Sequence, residues 1–383
     1  MTLRGPLAAL LLWSLAAGPV LAAPLRGPSV ELPPSAAEPP LAAAALSAGA
    51  AASGPQAPSA APQAAALDRA LEPASSEGPP GSAAVSALEK TFDGSGFLAA
   101  FQPPEPFSRF TFSSYVEPNE LHPEHARPIF EKAQPGAYVS VGTERSFVGA
   151  AAAGATHLVL VDRDPAVASY NRANAELLRL AADREQYLAL RRTSLDGVLR
   201  VARLRGWSDE RVRRLHDDLK VFHPAQRDHI LHDTSGLAFA GVNYLRDDTL
   251  FSRLKSIADA GRIAVLNMRL DDEPLAAAMT EALADAGARL GVLDVSNAWY
   301  TQYMGERPFA ELVATMSRIA DSRSIVMVTD GWRGAWRYHG FLPYSESNGQ
   351  VVAADLTKTL YGLDNDKTNG VLRRVKPRAR DFQ

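Results

Sequence analysis

Five short apolar runs dominate the hydrophobic pattern of the second half of the chain. They cover residues 137–142, 157–162, 262–268, 289–295 and 324–329, and each is rich in Val, Ile or Leu without regular polar alternation. Strands that are covered on both faces have this pattern. Helical periodicity fills most of the stretches between them, so the pattern predicts an α/β fold with a mostly parallel, Rossmann-like sheet and helices on both faces.

The connection after the second predicted strand is unusually long. It spans about residues 163–261, whereas a simple crossover needs about a dozen residues or more. Its polar and apolar pattern predicts helices at about 166–182, 184–203, 208–218 and 247–260. We interpret this stretch as a large helical insertion, which either caps a site at the carboxyl edge of the sheet or enlarges the core.

The first 88 residues have a different composition from the rest. Residues 1–23 combine Arg4, an apolar run and small residues before a cleavage point, which predicts a secretory signal peptide; an uncleaved membrane anchor is the alternative. Residues 24–88 are rich in Pro, Ala, Ser and Gly, which predicts a disordered linker. The folded domain is then expected at 89–383, in a secreted or periplasmic protein.

Composition narrows the possible chemistry. The chain has no Cys, which excludes disulfides, thiol nucleophiles, thiolate metal sites and a lipid-anchored lipoprotein. The net charge of −3 gives no positive electrostatic field that would attract nucleic acid. An arginine-rich stretch at 191–214 is interspersed with Asp and Glu, which indicates a solvated helix surface, with binding of an anionic partner as the alternative. We expect a small-molecule ligand, no nucleic acid and no membrane contact beyond the signal sequence.

The turn after the first predicted strand has features of a ligand-binding site. Gly142 stands where the chain must turn, Thr143 is placed to cap the following helix, and Gly149 lets that helix approach the sheet. Free N–H groups at the start of such a helix make a local positive site. The turn nevertheless lacks the two further glycines of the dinucleotide-binding fingerprint.

Two carboxylates define the ligand expected there. Glu144 stands in the first helical turn, where it would repel a pyrophosphate but tolerate a cationic group, which favours S-adenosylmethionine over NAD or FAD. Asp162 ends the second strand, where a carboxylate can accept hydrogen bonds from ribose hydroxyls. The alternative for Asp162 is a turn-forming role. Asp164, followed by Pro165, is predicted to cap the next helix.

Four segments together carry a resemblance to a known family. SVGTERSF at 140–147, HLVLVDRDP at 157–165, DVSNAW at 294–299 and SIVMVTD at 324–330 are similar to segments of uncharacterised bacterial proteins related to class I S-adenosylmethionine-dependent methyltransferases. The resemblance implies a cofactor pocket formed by Gly142, Thr143, Glu144, Arg145, Ser146 and Asp162. It also implies that Asp294, Ser296 and Asn297 face the reacting methyl group or its acceptor.

The residues themselves leave the reaction open. Ser296 and Asn297, at the end of the fourth strand, are placed to orient an acceptor; a plain strand-to-loop transition is the alternative. No general base is obvious, and Asp294 is the nearest candidate. The histidines at 216, 229 and 232 lack a metal-binding His-Glu-x-x-His spacing, so we predict no metal. Two functions remain: an exported methyltransferase relative, or a non-catalytic ligand-binding module of the same fold.

Overall fold

The computed structural model describes residue 120, residues 123–221, 242–301, 303–332, 335–344 and 370–375, and residues 356, 359 and 360. The predicted signal peptide and linker lie outside the described residues, as do the histidines at 229 and 232. Within the described part, no helix has the length and apolar character needed to cross a membrane.

The described residues form one seven-stranded sheet in the order β3-β2-β1-β4-β5-β6-β7. The strands are β1 Ala137–Ser140, β2 His157–Asp162, β3 Ile263–Asn267, β4 Leu290–Ser296, β5 Ile325–Trp332, β6 Ala335–Leu342 and β7 Val371–Arg374. Strands β1 to β5 are parallel, β6 is antiparallel to β5, and β7 is parallel to β6. The five predicted strands and the mostly parallel sheet are confirmed, while β6 and β7 were not predicted.

Helices cover both faces of this sheet. They are α1 Arg127–Phe130, α2 Glu144–Ala152, α3 Pro165–Leu180, α4 Arg184–Arg192, α5 Leu195–Leu204, α6 Asp209–Lys220, α7 Asp248–Asp259, α8 Glu273–Asp285 and α9 Glu306–Met316. Leu158 and Leu160 of β2 pack in one core with α1 to α7. Val159 and Val161 pack in a second core with α8 and α9. The alternation of side chains along each strand thus separates two cores, as the predicted α/β fold requires.

Helices α3 to α7 occupy the described part of the long connection between β2 and β3. The predicted helix at 184–203 is interrupted, because Thr193 is extended (ψ 162°) and the Ser194 side chain caps α5 by accepting from the Gly197 N–H at 3.2 Å. Leu190, Val198 and Leu215 belong to the same core as the sheet residues of that face. The described helices of this connection therefore enlarge one core.

Helix α2 lies unusually close to β1. A Cβ atom at Gly149 would stand 2.0 Å from the hydroxyl oxygen of Tyr138 and 2.5 Å from its ring carbon Cζ. Tyr138 is almost wholly buried and its hydroxyl donates to Asp294 at 2.8 Å, so the ring cannot swing aside without losing that bond. The expectation that Gly149 permits close packing of the helix on the sheet is confirmed.

We expect Gly149→Ala to destabilise the fold by about 1–3 kcal/mol, because it overpacks a rigid site, although alanine is the better helix former. Ala152→Gly in the same helix is the control, and it should cost about 1 kcal/mol through the lower helix propensity of glycine and the loss of one partly buried methyl group. Urea denaturation of both variants measures the free energies of unfolding. A Gly149→Ala protein as stable as the wild type would contradict the close approach.

Candidate functional site

A crevice opens at the carboxyl ends of β1 to β4. Strands β2 and β3 follow β1 on one side, and the chain then crosses to β4 on the other side of β1, so the strand order reverses between β1 and β4. Ligands of open parallel sheets bind at this kind of switch point. The crevice has a volume of about 170 Å³ and is lined by the ends of these strands, by residues 268–271 after β3 and by residues of the loop after β4.

The structure brings together six of the nine predicted site residues. Those that line the crevice are Gly142, Thr143, Arg145, Asp162, Ser296 and Asn297. The other three, Glu144, Ser146 and Asp294, have no exposed surface and do not line it. The two groups differ in what their side chains contact.

The glycine turn is held from three sides. Gly142 has φ +98°, a conformation that favours glycine, and its N–H donates to the carboxylate of Asp162. The Asn171 side chain of α3 donates to the Gly142 carbonyl at 2.9 Å. The Ser146 hydroxyl donates to the Val141 carbonyl at 3.0 Å, so Ser146 supports the turn from behind the crevice.

Thr143 does not cap α2 as predicted. It occupies the N-cap position, but its side chain makes no capping hydrogen bond. Its backbone φ of −120° and ψ of −115° lie outside the extended conformation in which a capping hydroxyl reaches the next turn. Its backbone carbonyl accepts from the Ser146 N–H at 2.9 Å. The prediction was wrong because the tight turn sets the backbone angles at this position.

Asp162 stands at the tip of β2 and faces the crevice. Besides the Gly142 N–H, its carboxylate accepts from the Asp164 N–H at 2.9 Å. Burial raises the pKa of Asp162 to about 6, against the partial lowering by these backbone donors. The contact with Asp164 is the turn-forming role given above as the alternative, and it coexists with a place in the crevice lining. Asp164 caps α3 as predicted, accepting from the Ala166 N–H at 2.8 Å.

Glu144 does not face the crevice. Its carboxylate contacts the guanidinium of Arg191 and the hydroxyl of Tyr170, and it accepts from the Tyr244 hydroxyl at 2.6 Å. Burial raises the pKa of both tyrosines well above the ordinary value, so they remain protonated donors. The expectation that Glu144 meets a cationic ligand was wrong, because Arg191 of α4 neutralises it on the far side of α2. Glu144 therefore presents no charge to repel a pyrophosphate in the crevice.

Arg145, the next residue, forms a second buried ion pair. Its guanidinium donates to both oxygens of Asp294, at 2.5 and 3.1 Å. Asp294 also accepts from the hydroxyls of Tyr138 at 2.8 Å and Ser140 at 3.3 Å. A general base must reach the proton that it removes. Asp294 has no exposed surface and is fully engaged, so the expectation that it acts as a base at the crevice was wrong.

Glu120 lines the crevice beside the end of β4 and was missed from the sequence. It lies more than a dozen residues before β1, outside any recognisable motif. Its Oε1 accepts from the Ser296 hydroxyl and lies 3.4 Å from Nε of Arg145. Ser296 has a left-handed φ of +53° at a register shift between β4 and β5. This strained residue turns the Ser296 side chain towards Glu120.

The loop after β3 supplies the other crevice residues that the sequence analysis missed. Met268 and Leu270 form an apolar wall, and Met304 of the loop after β4 adds to it. Arg269 is paired with Asp271 through two hydrogen bonds of 3.0 and 2.7 Å. The available signal was their position directly after a predicted parallel strand. Among the residues that the structure describes, no group of acidic or histidine side chains could hold a metal ion.

These features define an α/β protein with a crevice at the switch point of a mostly parallel sheet. Residues 115–383 match the family described as a domain of unknown function, DUF7790. The chain belongs to this family, and the match spans every residue that the structure describes. No curated protein matches the chain. Function therefore has to be argued from the crevice.

The raised pKa of Asp162 predicts a pH-dependent stability. Between its ordinary value of 3.8 and about 6, the folded chain binds more protons than the unfolded chain. The free energy of unfolding that Asp162 contributes therefore falls as the pH rises through this window. Relative to Asp162→Asn, we expect the wild type to lose on the order of 1 kcal/mol per pH unit there and to level off above it. Urea denaturation across this range measures the difference, and a flat difference would contradict the burial of Asp162.

The buried pair of Glu144 and Arg191 predicts a large effect of one substitution. Arg191→Met should destabilise the protein by about 3–5 kcal/mol, because it leaves a buried carboxylate without its counter-ion. The neighbouring Arg192 is exposed, so Arg192→Met is a matched control with an effect expected within about 0.5 kcal/mol. Thermal and chemical denaturation of the two variants test this. Equal stabilities would show that Glu144 is not held by Arg191.

Proposed function

We propose that the crevice binds a nucleoside-type ligand, with S-adenosylmethionine as the cofactor, and that the protein is an exported relative of the S-adenosylmethionine-dependent methyltransferases. The observation that carries the proposal is the carboxylate of Asp162 at the tip of β2, inside the crevice and bonded to the glycine turn. In this proposal α3 to α7 are an insertion between β2 and β3 of a Rossmann-like sheet.

Asp162 has the properties that ribose recognition needs. Its carboxylate is fixed by two backbone N–H donors. The side chain therefore loses little conformational entropy when a ligand binds. A carboxylate has about four acceptor positions, which leaves capacity for two sugar hydroxyls. Hydroxyl donors favour the ionised carboxylate, so binding should lower the pKa of Asp162 from its raised value.

The crevice also offers an apolar wall for a base. Met268, Leu270 and Met304 line it near the ends of β3 and β4. Ligand pockets commonly combine such a wall with a few oriented polar groups. Methionine side chains contact flat rings well, since they are flexible and polarisable. A nucleoside held by Asp162 would place its base against this wall.

The charges of the crevice support a ligand without a phosphate. Two arginines of its lining are paired with carboxylates, Arg145 with Asp294 and Arg269 with Asp271. A pyrophosphate would need such cations, or a series of backbone N–H donors at a glycine-rich turn. The turn here has one glycine with positive φ, Gly142, and its N–H is engaged with Asp162.

Methyl transfer would rest mainly on alignment of the two reactants and exclusion of water. Ser296 and Asn297 line the crevice at the end of β4 and are the residues placed to orient an acceptor. Bound S-adenosylmethionine would supply the methyl group. Asp294 has no role in proton removal in this proposal, since it is buried in its pair with Arg145.

A non-catalytic binding module of the same fold is the second candidate. The burial of Asp294 favours it, because the base expected at the end of β4 is not accessible. The predicted signal peptide also favours it, since S-adenosylmethionine is made in the cytosol. The two candidates share the crevice and differ in whether a bound methyl donor is ever consumed.

Titration of the full chain with S-adenosylmethionine by calorimetry tests the proposal. We expect Asp162→Asn to weaken binding about tenfold to a hundredfold, through loss of charge-assisted hydrogen bonds. Wild-type affinity should also fall as the pH is lowered through about 6, where Asp162 becomes protonated. Asp217→Asn, at a side chain that is 67% exposed, is the control. A flat wild-type titration would refute S-adenosylmethionine as the ligand, and equal binding by Asp162→Asn would refute the role of Asp162.

A further inference from the structure

The end of β4 holds a buried cluster with an unbalanced charge. The cluster consists of Glu120, Arg145 and Asp294, which are at most 5% exposed. Both carboxylates are paired with the same guanidinium: Asp294 lies 2.5 Å from one of its terminal nitrogens, and Glu120 lies 3.4 Å from Nε. Among the residues that the structure describes, neither carboxylate forms an ion pair with a second cation. The cluster therefore carries a formal charge of about −1.

The excess charge is located on Glu120 rather than on Asp294. Asp294 receives both terminal nitrogens of Arg145 and three further donors, from Tyr138, Ser140 and the Ser296 N–H. Glu120 receives the longer contact from Arg145, and only Glu120 of the two carboxylates lines the crevice. A ligand in the crevice can thus reach this charge only through Glu120.

One oxygen of Glu120 is held and the other is available. Oε1 takes all the contacts found in the described part of the chain: the Ser296 hydroxyl, Thr329 Oγ1 at 3.4 Å and Arg145 Nε at 3.4 Å. Oε2 has no hydrogen-bond donor among those residues. The left-handed backbone of Ser296 at the β4 register shift directs its hydroxyl to Oε1, which fixes the orientation of the carboxylate. An oriented carboxylate with a free oxygen in a recessed site is a receptor for a hydrogen-bonding cation.

The position of Glu120 relative to Asp162 defines which part of a ligand it meets. Asp162 is at the end of β2 and Ser296 at the end of β4, with β1 and its glycine turn between them. A nucleoside bound at Asp162 and extended past the glycine turn would bring its substituent to Glu120. Asn297 and Ser296 lie on the same side of the crevice.

We propose that Glu120 Oε2 binds a protonated amine of the ligand, and that this contact makes the crevice selective for nucleosides with an ammonium-bearing side chain. The inference rests on the proposed function, because it assumes a nucleoside anchored at Asp162. It gives Glu120 the role of cation recognition that the sequence suggested for Glu144. A bound ammonium group balances the charge of the cluster.

Two probes separate this inference from the proposed function. S-adenosylhomocysteine carries an ammonium group beside a carboxylate on its side chain, and methylthioadenosine is a related nucleoside that lacks both groups. We expect the wild-type full chain to bind both. In Glu120→Gln, we expect S-adenosylhomocysteine affinity to fall about tenfold to a hundredfold, the range for hydrogen bonds to charged groups, with methylthioadenosine affinity unchanged. Glu131→Gln, at an exposed carboxylate (63% exposed) that follows α1, is the control.

Each outcome of these titrations has a separate meaning. Equal losses for both probes, no loss for either, or tighter S-adenosylhomocysteine binding by Glu120→Gln would overturn the inference and leave the nucleoside site standing. If the wild type binds neither probe, the proposed function is overturned, and the inference with it. If Glu120→Gln does not fold, Glu120→Asp is tested in its place. Aspartate retains the charge but is one methylene shorter, so its carboxylate lies farther from the ligand. The same selective loss of S-adenosylhomocysteine affinity is expected.

Discussion

Two consecutive charged residues at the start of α2 form buried ion pairs that connect this helix to two other parts of the fold. Glu144 pairs with Arg191 of α4, and Arg145 pairs with Asp294 of β4. Side chains one residue apart on a helix point about 100° apart, so the two charges reach different sides of α2. Each pair is buried, and a buried charge without a partner costs several kcal/mol. The position of α2 over the sheet is thereby coupled both to the helices between β2 and β3 and to the central strands.

This arrangement decides which charges a ligand can meet. Because Glu144 and Asp294 are neutralised within the protein, the accessible carboxylates of the crevice are Glu120, Asp162 and Asp271, and Asp271 is already paired with Arg269. Glu120 and Asp162 lie on either side of the glycine turn. The crevice thus has two separate anionic positions rather than the single carboxylate pair that the sequence suggested. Their separation by one strand favours an extended ligand over a compact one.

The sequence was informative where local pattern determines structure. The five apolar runs identified β1 to β5, and the Asp164-Pro165 signal placed the start of α3. Strand β6 was missed because its sequence, AWRYHGFL, lacks the apolar runs of a central strand, and β7 because it is a short edge strand in a basic segment. The direction of Glu144 could not be predicted, since its partner Arg191 is 47 residues away and is one of many arginines in that stretch. Glu120 gave no signal, because its position depends on contacts with β4 and β5.

The left-handed Ser296 shows why the end of β4 matters beyond packing. A non-glycine residue with positive φ is strained, and such strain persists where the surrounding contacts over-determine it. Here the contacts are the Ser296 N–H to Asp294 at 3.0 Å and the Ser296 hydroxyl to Glu120. One residue thereby links the neutralised carboxylate of the core to the accessible carboxylate of the crevice. A plain strand-to-loop transition would need neither contact, whereas together they hold Glu120 in place at the crevice.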